Sequence, residues 1–156
     1  MLLLFSTEIA NKTIKQADVL MLGYPLNWNV SRDVIKNDLE YHEELIDPDT
    51  PAMTYGFMAV AWKFAEDFSK MRSTFRSSYE NYFQQPFKVW KEYSDSSSSN
   101  NGGTVNFMPG QGAFIQSIVY GFAGVRIRPD KLEFHNPMPP PDCRRVTMKG
   151  TVQLHF

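Results

Sequence analysis

Glu92 stands among Phe87, Trp90 and Tyr93, is flanked by Lys88 and Lys91, and opens onto a Gly/Asn-rich loop. Neighbouring cations keep a carboxylate ionised even when aromatic rings crowd it, which is the setting of a working catalytic carboxylate. The same pattern also describes a surface salt-bridge partner, and the local sequence leaves both readings open. A second run, Lys15-Gln16-Ala17-Asp18, offers an ammonium and an amide at a helix start. Those groups can bond the hydroxyls of a sugar, or simply cap the turn.

Other chemistries find little support. His42, His135 and His155 are far apart and lack metal-ligand spacing, and neither a Walker loop, a GxGxxG, an HExxH nor a paired CxxC is present. No metal and no cofactor is expected. Cys143 is the single cysteine, which excludes an internal disulfide framework. Sixteen basic against seventeen acidic residues give a net charge of −1 over 156 residues, so polyanions such as nucleic acid or an anionic membrane face are poor partners. The aromatic content of 14% includes Trp28, Trp62 and Trp90, a supply that suits stacking on sugar rings and a large core alike.

The elements that must position these residues are mostly helical. Thr13 to Leu22 is dense in helix-compatible residues and stops at Gly23-Tyr24-Pro25. Ser31 is the expected N-cap of a helix running to about Ile46, with Val34, Ile35, Leu39, Tyr41 and Leu45 on one side. Ala52 to Trp62 is apolar nearly all round and predicts a buried helix. Phe64 to Phe83 predicts an amphipathic outer one, with Phe64, Phe68, Met71, Phe75, Tyr79 and Tyr82 at three- and four-residue steps. Phe87 to Tyr93 reads as extended, and the SSSSNN run from Ser96 to Asn101 as a mobile surface loop. Ala113 to Phe122 predicts a last buried helix ended by Gly124. From there the period falls to two, so Val125-Arg128, Lys131-Phe134, Val146-Lys149 and Val152-Phe156 are expected strands. The last of these runs to the end of the chain, which suggests truncation. No stretch approaches the ~20 apolar residues of a membrane helix. The opening Met1-Leu2-Leu3-Leu4-Phe5 lacks the flanks of a signal peptide, which slightly favours the cytoplasm.

Four strings in order, Lys15-Gln16-Ala17-Asp18-Val19-Leu20, Pro51-Ala52-Met53-Thr54, Pro86-Phe87-Lys88-Val89-Trp90 and Val105-Asn106-Phe107 through Gly112-Ala113-Phe114-Ile115-Gln116, resemble glycoside hydrolase family 65. The resemblance covers about Thr13 to Phe134. It implies a mainly α fold, with residues 1–123 the C-terminal part of an (α/α)6 barrel and 124–156 the start of a small antiparallel β domain. It further implies inverting cleavage of an α-glucoside, such as the glucose of glucosylgalactosyl-hydroxylysine on collagen-type chains. An inverting glycosidase uses two carboxyls about 6.5–9.5 Å apart, one as acid and one as base. By the resemblance Glu92 is the general base, and Lys15, Gln16 and Trp90 meet the sugar. The general acid belongs to an earlier part of the barrel that this chain lacks, so the chain alone is expected to be inactive and to need that missing N-terminal part as its partner. Two alternatives remain open: a fragment that binds sugar or a partner without chemistry, and a trehalase or disaccharide phosphorylase of the same family.

Overall fold

Residues 13–15, 18–95 and 103–149 are described in the structure, a computed structural model. The chain is mainly helical, with two small antiparallel sheets. Its first described residues depart from expectation. Ile14 forms an isolated parallel bridge with Ile46, its N–H donating to Leu45 O at 2.8 Å and its carbonyl accepting from Asp47 N at 2.9 Å. Backbone groups taken up in this way are unavailable to a helix, so only a short 3-10 turn follows, at Asp18–Leu22.

Helix α1 spans Arg32–Glu43 and starts where the sequence predicts: Ser31 is extended, and its hydroxyl accepts from Val34 N at 3.4 Å. Of the expected stripe, Leu39 is fully buried and Ile35 packs on the core, while Val34 and Tyr41 are exposed. Helix α2, Thr54–Phe64, is buried on nearly every face, as its composition requires. The long amphipathic helix predicted after it is broken. Glu66 adopts a φ of 60°, and Asp67 then caps a separate helix α3, Phe68–Ser77, by accepting from Lys70 N at 3.0 Å. The stripe survives the break except at Phe68, which is exposed: Met71, Phe75 and Tyr82 are buried and Phe64 and Tyr79 pack against the core.

Strands β1, Phe83–Gln84, and β2, Val89–Trp90, form a short hairpin with Phe83 opposite Trp90. The SSSSNN run lies outside the described residues. Helix α4, Met108–Gln116, continues as a π-helical turn over Ser117–Phe122. That turn lies close on α2: a Cβ on Gly121 would sit 2.4 Å from Val60 Cγ2, so only glycine permits the approach. Gly124, at a φ of 70°, then leads into strand β3, Val125–Ile127, which pairs with β4, Leu132–Phe134, with Arg126 opposite Glu133. The core lies between α2, α3 and the π turn, centred on Met58, Val60, Trp62, Phe75 and Phe122. The expected strand at Val146–Lys149 is not formed. Those four residues are exposed and carry no ladder with any described residue to hold them extended, and Val152–Phe156 falls outside the described residues.

Candidate active site

Glu92 and Lys15 approach the same point from distant parts of the chain. Lys15 Nζ lies 3.8 Å from Glu92 Oε1 and 5.7 Å from the centre of the Tyr93 ring. The segment that joins them is Thr50–Ala52. The Thr50 hydroxyl donates to the Lys15 carbonyl at 2.6 Å, Ala52 N donates to the Glu92 carbonyl at 2.9 Å, and the Tyr82 hydroxyl donates to the Thr50 carbonyl at 2.8 Å. Thr50 and Ala52 are buried, so the bonds at their end are sheltered from competing water, while the Lys15 end is partly exposed. Lys15 is further tied down by its neighbours, because Thr13 donates from its hydroxyl to Asp47 at 3.1 Å beside the Ile14 bridge.

Glu92 itself is continued from β2. Glu92 N donates to Thr104 O at 3.0 Å, and an isolated antiparallel bridge pairs Lys91 with Val105. The chain beyond the loop thus returns alongside Glu92 and brings Thr104 to its carboxylate. Thr104 donates to Oε2 twice, from its backbone N–H at 3.3 Å and from its hydroxyl at 3.1 Å. Burial alone would raise the Glu92 carboxyl. The Thr104 amide and hydroxyl, the Tyr93 hydroxyl and the Lys15 ammonium outweigh it and hold the group below the ordinary glutamate value. Reciprocally, the Tyr93 hydroxyl, followed by the Glu92 charge, holds the Lys15 ammonium above its ordinary value. The pair is therefore ionised across the neutral and mildly acidic range. Lys91 is engaged elsewhere, its ammonium close on Asp95.

The geometry separates the sequence-predicted residues. Lys15 and Glu92 are brought together, whereas Gln16 lies outside the described residues. Trp90 is 7% exposed, its ring centre 4.5 Å from that of Phe83 and 5.1 Å from that of Phe114, in a core cluster with Ala52 and Tyr82. Its main chain serves the site more directly, since the Trp90 carbonyl accepts from Phe107 N at 2.8 Å and fixes the start of α4. Phe87 is exposed. Sequence reasoning missed Thr104 and Thr50. Thr104 carries no spacing signal of its own, but Thr50 precedes the Pro51-Ala52-Met53-Thr54 string and had a signal there to be read. A carboxylate with one oxygen pinned and the other beside an ammonium can take a proton from water, or hold a sugar hydroxyl as acceptor. Among the described residues no group of three or more His, Cys, Asp and Glu could hold a metal ion, and no helix is long and apolar enough to cross a membrane.

No family model matches the chain. Individual relatives do. The chain is 38% identical over 141 residues to a protein-glucosylgalactosylhydroxylysine glucosidase of Danio rerio, covering 90% of this chain and 20% of the relative. It is 32% identical over 138 residues to a kojibiose hydrolase of Mucilaginibacter mallensis, covering 88% and 20%. A periplasmic/secreted acid trehalase of Candida glabrata is 36% identical over 120 residues, covering 72% and 10%. The chain therefore spans a fifth or less of the length of these curated relatives.

Proposed function

We propose that this chain, which belongs by sequence to the glycosidase family of these relatives, supplies the general base and part of the glucose-holding surface of an inverting α-glucosidase. Its helices are then the C-terminal part of an (α/α)6 barrel of the family 65 type, and the β3–β4 hairpin is the start of a β domain. The observation that carries this reading is the meeting of Lys15 and Glu92 at 3.8 Å, in an ionised pair whose carboxylate is held on one oxygen by Thr104. Glu92 takes the proton of the attacking water, and Lys15 with Gln16 holds the glucose by its hydroxyls. Trp90, expected to meet the sugar, is buried in the core cluster and instead supports the strand that leads to Glu92. The general acid comes from residues outside this chain, at the separation of about 6.5–9.5 Å that leaves room for the water. The substrate class is an α-glucoside, and the name of the Danio rerio relative points to the glucose of protein-bound glucosylgalactosylhydroxylysine. The Candida glabrata relative is named as periplasmic or secreted, so fractionation of the native source decides the compartment.

The test is Glu92→Gln in the enzyme-length polypeptide that carries this chain. Hydrolysis should fall roughly 10²–10⁴-fold while calorimetric titration still detects sugar binding. Retained turnover would remove Glu92 from the role of base. Product analysis with and without phosphate separates hydrolysis from phosphorolysis, because only the latter releases a sugar phosphate.

A further inference from the structure

We infer that Thr104 is the positioning residue of the base: by holding Oε2 of Glu92 with both its backbone N–H and its hydroxyl, it selects Oε1 as the oxygen that receives the proton. This inference rests on the reading of Glu92 as general base. A free carboxylate offers two equivalent oxygens and rotates between them, so a base that must meet one water in one orientation needs one oxygen occupied. Here Thr104 N at 3.3 Å and Thr104 Oγ1 at 3.1 Å both fall on Oε2, and Lys15 Nζ at 3.8 Å faces Oε1. Two donors on one oxygen also leave the negative charge stabilised before any water arrives.

The backbone is shaped for this contact. Gly103 has a φ of 64°, and a Cβ there would lie 2.4 Å from Tyr93 Cδ2 and 2.9 Å from Glu92 Cβ. Only glycine lets the returning chain lie flat enough on Glu92 and Tyr93 for the next N–H to reach the carboxylate. The bond from Glu92 N to Thr104 O at 3.0 Å then holds the two residues side by side, which keeps both Thr104 donors within reach of the Glu92 carboxylate. Among the described residues, the charged and titratable groups facing Glu92 are Lys15 and Tyr93, both of which remain when Thr104 is changed.

The experiment compares Thr104→Val, Thr104→Ser and Glu92→Gln in the enzyme-length polypeptide, recording kcat/KM against pH. Thr104→Val deletes the hydroxyl and keeps the N–H. It should move the acid limb of the profile upward, because the base loses a donor that favours its charged form, and should lower kcat/KM on that limb roughly tenfold. Thr104→Ser restores the hydroxyl and should restore the wild-type limb, which a merely structural role for the threonine methyl would not do. Gly103→Ala, which displaces the N–H instead, should move the limb in the same direction, and it replaces Thr104→Val should that variant fail to fold. An unchanged acid limb in Thr104→Val and Gly103→Ala, with Glu92→Gln inactive, would overturn the inference and leave the base in place. Turnover retained by Glu92→Gln would overturn the base assignment itself, and the positioning role with it.

Discussion

Lys63 shows at the residue scale how a charge is kept inside this core. It is 1% exposed, and its ammonium donates to the carbonyls of Gly121 at 3.0 Å and Phe122 at 3.2 Å, where the π turn ends. Arg126, also buried, donates to the carbonyls of Tyr120 and Val125. Between them the two cations bond the carbonyls of Tyr120, Gly121 and Phe122 at the negative end of one helix. Burial first, and the Arg126 charge second, lower the Lys63 ammonium from 10.5 to about 8. Below about pH 8 both folded and unfolded chains carry this proton, so the cost of burying it is fully present. Between about 8 and 10.5 the unfolded chain binds more protons, and stability therefore rises with pH through this group. The unfolding free energies of wild type and Lys63→Met, from denaturant titrations, should accordingly shift in favour of wild type across that window, by roughly 3 kcal/mol in total. A constant difference between the two proteins would contradict it.

At the scale of elements, Gly124 joins the helical part to the β3–β4 hairpin. Its carbonyl accepts from His135 N at 2.7 Å, and a Cβ would lie 2.1 Å from His135 O. Gly124→Ala combines that clash with a left-handed backbone and should cost roughly 2–4 kcal/mol, read as a fall in the thermal midpoint. The sequence made this glycine legible as a helix stop, and made the cap at Ser31 legible as a helix start, because both signals are local. It did not reveal the break before α3. Apolar spacing continues through Glu66 and Asp67, and the capping side chain of Asp67 sits inside a pattern that looks uninterrupted. The extended run at Lys15 was likewise hidden, since only the distant Ile46 segment draws Ile14 out of a helix. For the site, aromatic and basic neighbours pointed to Glu92. Thr104 was invisible because its place depends on a strand pairing across a loop.

The whole molecule exposes more large apolar side chains than its core explains, among them Leu26, Trp28, Phe87, Met108 and Ile115. Such faces fit a chain that meets further parts of the same polypeptide. We therefore expect intact mass spectrometry of the native protein, captured through the peptide spanning Glu92, to give a mass several times 18.0 kDa. We also expect the 156-residue chain alone to turn over no α-glucoside. A native mass near 18.0 kDa would remove the enzyme reading and leave sugar or partner binding. The pairing of Lys15 with Glu92, and of Glu92 with Thr104, also sets a schedule during synthesis. A ribosome releases Lys15 first, and the site stays unfinished until Thr104 has left the exit tunnel. On the reading of Glu92 as base, every nascent chain shorter than that carries its carboxylate without the Thr104 donors on Oε2, so the partner that would aim it is made last.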